Sequence, residues 1–348
     1  MTDQSDRIPY LLTGYSLPYT LGYIPLAEGA PNPEPWSLEK LAKKAIDLRL
    51  SGIEAPLTNR IPSFDGKTVE LASNAGNLGA LLRSENLSVV ADSGIVIEDT
   101  FEQLEESLRS AHRAGATIFR VMISNLLCGD RRKIPGGWSS WLKETARRLL
   151  EVLPIAQDLG LVIAAENHQD ATADDLLRLH DLVGNHPAFG IVLDTGNPLA
   201  VAEDPVETCQ RIAHLIRHVH LKDYAMHAAP EGYRLVRCVA GQGVIDFPSI
   251  LRIVRANGHA VTPGIEIAAQ ATRTIPLLDS TWWSTYPEQL EVNSLAPMKT
   301  LEEKGKPASL PYSSPSEQGA NRQIVMRNEW DTLRDSVGYF RSLESALS

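Results

Sequence analysis

The sequence predicts one (β/α)8 barrel, a TIM barrel, with a C-terminal extension, on three observations. Eight short runs rich in β-branched residues alternate with longer amphipathic segments along most of the chain. A crossover helix must carry the chain back over the sheet, so strands separated in this way pair in parallel. The polar residues capable of chemistry stand at the carboxyl ends of several different strands, where barrel active sites are built. An open doubly wound sheet is the rival architecture, and the count of eight units favours the barrel. A length of 348 residues is normal for one such barrel with additions.

The expected strands cover residues 10–13, 52–55, 88–92, 118–123, 161–166, 190–194, 218–221 and 262–267. Seven crossover helices are expected over 37–50, 69–85, 101–114, 139–159, 173–183, 206–215 and 247–257. Leu38, Leu41, Ala45 and Leu48 recur at helical spacing in the first, and Leu142, Ala146, Leu149 and Leu153 in the fourth. Ser37 with Lys40 makes a weak N-cap, and Ser139 with Leu142 makes no capping box. Gly52, Gly115 and Gly160 each follow a helix, where a left-handed residue ends it. Past the eighth strand the alternation dissolves. The barrel is assigned to residues 1–295, and residues 296–324, rich in Pro, Ser, Gly and charge, read as an extended or mobile connector. Residues 325–348 are again helical, with Trp330, Leu333, Val337, Phe340 and Leu343 along one side, a stripe suited to packing on the barrel as its eighth helix.

Bulk properties exclude several function classes. The formal charge is −10 with no Lys/Arg cluster, which argues against nucleic acid as a partner. A small-molecule sugar or glycoside, held by hydrogen bonds and a metal, is compatible with that charge. No apolar run is long enough to span a bilayer, and no basic start followed by an apolar stretch marks a secretory signal. Cys128, Cys209 and Cys238 are scattered without a CxxC spacing, as free thiols in a reducing cytoplasm would be. A homo- or hetero-oligomer is left open.

Four strand ends present metal-ligand side chains. The fifth gives VIAAENHQD with Glu166, the sixth GIVLDTGN with Asp194, the seventh IRHVHLKDY with His220 and the eighth GIEIAAQ with Glu266. Singly, an acid closing a strand is more often a cap or surface charge, and a lone His in an apolar strand more often a core side chain. Together they lie on consecutive strands around one mouth. Three carboxylates there would repel and raise one another's pKa, and a divalent ion removes that penalty. One imidazole with three carboxylates is a hard, oxygen-rich set. It suits Mn2+, Mg2+ or Co2+ and also holds Zn2+. One divalent ion on Glu166, Asp194, His220 and Glu266 is therefore expected, with Mn2+ the first choice.

The ordered set ENH, LDTGN, HVHLKD, GQGVIDF and GIEI resembles the xylose isomerase-like TIM barrel superfamily, specifically its sugar phosphate isomerase/epimerase family, from about residue 10 to 290. By that similarity the same four residues fall on the family's metal-ligand positions. In its ketose epimerases the two glutamates also shuttle the proton, which implies catalytic roles for Glu166 and Glu266. Two departures stand out. The ketose epimerases carry a His three residues after the aspartate ligand, here Asn197, and an Arg six residues after the histidine ligand, here Met226. In exchange, His168 follows Glu166 by two residues. Strand alternation would turn it to the metal as a third catalytic candidate; a surface loop histidine is the equal alternative.

Lys222 shares the parity of His220 and either reaches a substrate oxygen or pairs with Asp223. With Asn197, Glu54 and Arg120 it makes up the expected substrate-binding set. Gly241-Gln242-Gly243 is too weak a signal for a phosphate cradle. Trp138, Trp141, Trp282 and Trp283 either stack on a ring at the mouth or serve as core or interface. The implied chemistry is proton abstraction beside a carbonyl in a keto-sugar or polyol, of isomerase or epimerase type. A lyase is the alternative, expelling a β-substituent as a sugar dehydratase or as a 3-oxo-glycoside or C-glycoside deglycosidase. AP endonuclease-like phosphodiesterases share the barrel but build a three-metal site with many more histidines; the first four strand ends here offer none. A non-catalytic or obligate subunit of a larger assembly is the remaining alternative.

Overall fold

Eight parallel strands close on themselves in a computed structural model, which describes residues 7–25, 32–57, 60–62, 68–70, 75–267, 271–286, 295–310 and 312–347. They are β1 (Ile8–Thr13), β2 (Leu50–Pro56), β5 (Ser88–Ile95), β6 (Ile118–Met122), β7 (Val162–Glu166), β8 (Phe189–Asp194), β9 (Ile216–Leu221) and β12 (Gly264–Ile265), with β12 returning to β1. β3 (Arg60–Pro62) and β4 (Thr68–Glu70) form a small hairpin after β2. β10 (Tyr224–Ala229), β11 (Gly232–Arg237) and β13 (Arg273–Ile275) make a separate antiparallel sheet whose first strand starts just past the end of β9.

The crossovers are α1 (Leu38–Asp47), α2 (Ala75–Ser84), α3 (Phe101–Ala114), α4 (Trp138–Asp158), α5 (Ala173–Leu182), α6 (Pro205–Ile212) and α7 (Phe247–Ala256). Their starts follow local chemistry. Thr100 with Gln103 and Thr172 with Asp175 form reciprocal capping boxes, and Asp204 and Asp246 cap α6 and α7. Ser37 accepts from the Lys40 amide at 3.3 Å, while α4 begins at Trp138 after Gly137 without a side-chain cap. Gly115 ends α3 with φ at +91°.

Several expectations need correction. Gly52 does not end a helix: Arg49 takes the left-handed turn at φ +50°, and Gly52 lies inside β2, where a Cβ would stand 2.0 Å from the Ser88 carbonyl oxygen. The second helix starts at Ala75, because Val69 belongs to the β3–β4 hairpin; residues 71–74 lie outside the described residues. The eighth strand pairs only over Gly264–Ile265, and Glu266 follows it. The presumed connector holds helix α9 (Leu295–Lys304), after which Lys306 bridges to β10, its amide donating to Met226 O at 2.8 Å.

After the four-residue helix α8 (Ser280–Trp283) and α9, α10 (Arg322–Leu347) returns to the barrel. Leu333, Val337 and Phe340 are buried, with the Phe340 ring 5.3 Å from Tyr10 of β1 and 5.0 Å from Phe247 of α7. Arg341 donates to the Leu48 carbonyl at 3.0 Å, so α10 spans the space between α7 and α1. No helix among the described residues is long and apolar enough to cross a membrane.

Candidate metal centre

Strand register builds the site. In parallel strands, residues paired across the ladder lie at one level of the barrel. Asp194 ends β8 opposite His220 of β9, and His220 has Gly264 of β12 on its other side. Glu166 ends β7, and Glu266 follows β12, its amide donating to Leu221 O at 3.1 Å. Each of Glu166, Asp194, His220 and Glu266 offers one ligand atom, and these four atoms lie within 4.8 Å of one another, on residues that are all buried.

The free valences point to a cation. His220 Nδ1 lies 3.0 Å from Glu266 Oε2 and 3.5 Å from Glu166 Oε1, yet makes no hydrogen bond. Asp194 Oδ2 makes an ion pair with Lys222, whereas Asn197 Oδ1 is likewise buried without a hydrogen-bond partner among the described residues. Buried polar atoms are rarely left so. The other atoms of the same groups are fully engaged. Asp194 Oδ1 accepts from the Gly196 and Asn197 amides at 2.9 and 3.1 Å. Asn167 brackets the Asp194 backbone, accepting from its N–H at 2.5 Å and donating to its carbonyl at 3.1 Å. His220 Nε2 meets Glu54 at 2.9 and 3.0 Å, and His218 Nε2 meets the same carboxylate at 2.9 Å. Burial alone would raise Glu54, but the charges of His220 and His218 bring it down to about 2. An ionised carboxylate only accepts, so Glu54 fixes hydrogen on Nε2; burial works against a charged imidazole, but Glu54, Glu266 and Glu166 hold His220 well above its ordinary value, and a metal ion at Nδ1 would take the place of that second proton.

Two buried cations hold the acids in place. Lys222 Nζ lies 2.6 Å from Glu266 and also pairs with Asp194. Arg120 binds Asp92 at 2.5 Å and also Glu166. Burial works against ionised Glu166 and Glu266, but Arg120 with His220 and Lys222 with His220 hold them below the usual carboxylate range. Burial outweighs Lys222 at Asp194, pushing it up to about 6, and outweighs Arg120 at Asp92, pushing it up to about 7. His168 is half-buried, its Nδ1 is shielded without a partner, and burial pushes it down to about 4. The charges of Glu166, Lys222 and Glu266 act on it as well.

Other sequence expectations fall differently. Glu54 is taken up by the two histidines and Arg120 by two carboxylates, so both support the cluster instead of lining an open mouth. Lys222 does not pair with Asp223, whose carboxylate is enclosed by amides of the Gly241-Gln242-Gly243 turn and its flanks. Asn197 stays in the site, donating to Glu166 Oε1 at 3.4 Å. Trp282 is buried and donates to Cys128 O at 3.0 Å; Trp141 donates to Ile123 O at 2.8 Å. Neither is a free stacking platform. All three cysteines are free thiols. Sequence reading passed over His218, Asp92 and Asn167. His218 shares the parity of His220 and Asp92 ends a strand, so both carried a signal; Asn167 acts through backbone geometry and carried none.

The profile described as "Xylose isomerase-like TIM barrel" matches residues 52–278. The chain belongs to this family. It is 29% identical over 118 residues to 3-oxo-isoapionate decarboxylase of Pectobacterium atrosepticum, covering 33% of this chain and 42% of that protein. It is 28% identical over 119 residues to inosose dehydratase of Clostridium botulinum, covering 30% of this chain and 40% of that one. The chain thus spans about two fifths of the length of these curated relatives. Among solved structures, an L-ribulose 3-epimerase matches with a TM-score of 0.54 at 16% identity, over 84% of this chain and 94% of that one, a likeness of fold.

Proposed function

We propose that this member of the xylose isomerase-like family is a divalent-metal-dependent enzyme that removes a proton beside a carbonyl in a keto-sugar or polyol and returns it elsewhere, as an isomerase or epimerase. The convergence of Glu166, Asp194, His220 and Glu266, whose ligand atoms lie within 4.8 Å of one another on buried residues, carries this reading. The donor set suits Mn2+ first, with Mg2+, Co2+ or Zn2+ as substitutes. When bound, such an ion supplies Lewis acidity to a carbonyl and an adjacent hydroxyl oxygen. The chain's own residues do the rest. Glu166 and Glu266 flank His220 and are held ionised, so each accepts a proton at a carboxylate oxygen. Lys222 and Arg120 fix where those oxygens point. Neutral His168 is a third acceptor, and Asn197 Oδ1 accepts from a substrate hydroxyl. Action in the cytoplasm fits the three free thiols.

A lyase outcome shares the first step and differs in the second, where the electron pair expels a β-substituent. Asn197 and Met226, at positions where the ketose epimerases carry His and Arg, favour it, as do relatives named as a decarboxylase and a dehydratase.

Elemental analysis of purified protein beside its Glu166→Gln and Asp194→Asn variants tests the metal. About one divalent ion per chain, lost in both variants, is expected. The same preparations are then incubated with keto-sugars in D2O. NMR should show metal-dependent deuterium next to the carbonyl, and the product separates isomerase from lyase. No metal after reconstitution, or equal metal in both variants, overturns the reading.

A further inference from the structure

Two more guanidinium groups share one face of the β10–β11–β13 sheet, and one of them, Arg237, interacts with Glu266 and Asp194 of the site. Residues opposite one another in an antiparallel sheet share a face. Tyr224 lies opposite Arg237, Leu235 lies opposite both Met226 and Arg273, and Tyr233 lies opposite Ile275. Tyr224, Met226, Tyr233, Leu235 and Ile275 are all buried, and the Tyr233 hydroxyl donates to the Leu199 carbonyl beyond β8, so this face packs on the barrel, and Arg237 and Arg273 are on it. Tyr224 shows where the face points. Its ring lies 2.7 Å from the place a Cβ would take on Gly196, two residues past Asp194, and Gln169 donates to its hydroxyl at 3.3 Å. The Arg237 guanidinium carbon is 6.0 Å from the Tyr224 ring centroid, and its charge is felt at Lys222 and interacts with Glu266 and Asp194.

Arg273 is the more telling of the two. Among the described residues its Nε is buried without a partner and its Nη1 donates to the carbonyls of Ala271 at 2.9 Å and Thr272 at 3.4 Å. Burial and the like charge of Arg237 both disfavour its ionised form. Burial works against a charged Arg237, but Tyr224, Glu266 and Asp194 hold it above its ordinary value, whereas at Arg273 burial and the charge of Arg237 prevail, and a further anion beside the pair would relieve that cost. Planar forks match a carboxylate in two parallel hydrogen bonds.

We propose that Arg237 and Arg273 receive a carboxylate of the substrate, so that the keto-sugar is an acid of the hexulosonate class. This rests on the metal-site reading above and extends it. Met226 lies on the same face, between Tyr224 and the two arginine-bearing strands, and offers an anion no charge of its own. A phosphate would bring a second negative charge toward Glu166, Asp194 and Glu266, whereas a carboxylate brings one.

The test is calorimetric titration with D-fructuronate and D-fructose, which differ only in a C6 carboxylate against a carbinol. Wild type, Arg237→Gln, Arg273→Gln and Arg273→Lys are each titrated, Mn2+-loaded and chelator-treated. Wild type is expected to prefer the acid by about tenfold or more, and each Gln variant to lose most of that preference while binding D-fructose as before. Arg273→Lys, which keeps the charge and loses the fork, should fall between and carries the test if a Gln variant does not fold. The arginine-dependent preference should persist without metal. Its persistence with no Mn2+ binding would sink the metal reading and leave this one standing. Equal binding of acid and neutral sugar, or equal weakening of both in the variants, overturns the proposal. Inorganic phosphate that displaces D-fructuronate and binds more tightly overturns the carboxylate assignment.

Discussion

Asp194 and Asp223 are both buried, both follow an apolar strand, and burial pushes both up to about 6. They differ in what reaches their oxygens. Asp223 Oδ1 accepts from the amides of Tyr224 at 2.9 Å and Ile245 at 3.3 Å, and Oδ2 from those of Gly241 at 2.8 Å and Gly243 at 3.0 Å. It is the hub of a turn, and Gly243 is required there because a Cβ would stand 2.1 Å from Asp223 Oδ1. Asp194 has one oxygen held by two amides and the other with no hydrogen bond, in ion-pair range of Lys222. A carboxylate saturated by peptide groups holds the fold, while one kept half-saturated is open to a ligand.

The largest expected effect separates these two. Asp194→Asn should lower metal affinity by more than the about 10- to 100-fold typical of losing an outer partner, with little change in the stability of metal-free protein. Asp223→Asn turns an amide NH2 toward backbone donors. It should cost about 1–3 kcal/mol in denaturant unfolding and leave the metal affinity of the folded fraction intact. Calorimetric metal titration and urea melts on both variants check this, and a reversed pattern would break the comparison.

Next in size is Glu54→Gln. The variant keeps one acceptor but can no longer serve two imidazoles as an anion, so His220 loses the partner that sets its tautomer. Mn2+ affinity, read from the EPR signal of the free ion, should fall by about 10- to 100-fold. Unchanged affinity would reduce Glu54 to packing.

The barrel and its four ligand-type strand ends were legible because hydrophobic alternation and strand-end placement are local signals. Where expectation failed, a tertiary contact decided. Gly52 looked like a helix stop, but the close approach of Ser88 demands it. Glu54 and Arg120 looked like substrate contacts, yet each points to buried partners supplied by strands distant in sequence. The α9 segment reads as linker by composition and is helical in the fold, its end tied to β10 through Lys306. Arg237 and Arg273 escaped notice because only the pairing of β10, β11 and β13 brings them onto one face.

Glu329 of α10 extends the comparison to pH. Its carboxylate accepts from the Tyr19 and Thr20 amides at 2.8 and 3.0 Å and from the Thr20 hydroxyl at 2.7 Å, and burial still pushes it up to about 8. The folded value lies above the ordinary 4.5, so folding takes up a proton. That contribution is full below the ordinary value and is lost as pH rises through about 8. Relative to Glu329→Gln, which cannot titrate, wild-type stability from urea melts should therefore decline across that window. A parallel pH course in the two proteins would mean that the three donors keep the carboxylate ionised.

The smallest effect is expected where carboxylates are as well hydrogen-bonded as Asp223 but stand in water. Arg147 on α4 bonds Glu144 at 2.6 and 2.9 Å and also pairs with Glu151, with side chains 55%, 45% and 35% exposed. Water serves these groups nearly as well in the unfolded chain, and fixing three long side chains costs entropy. Arg147→Ala should shift Tm by under about 1 °C, and added salt should shrink the shift further. A shift as large as that of Asp223→Asn would show that the number of hydrogen bonds alone sets a carboxylate's worth. The expected contrast instead assigns it to desolvation: the same bonds matter in the Gly241–Gly243 turn because water cannot replace them there.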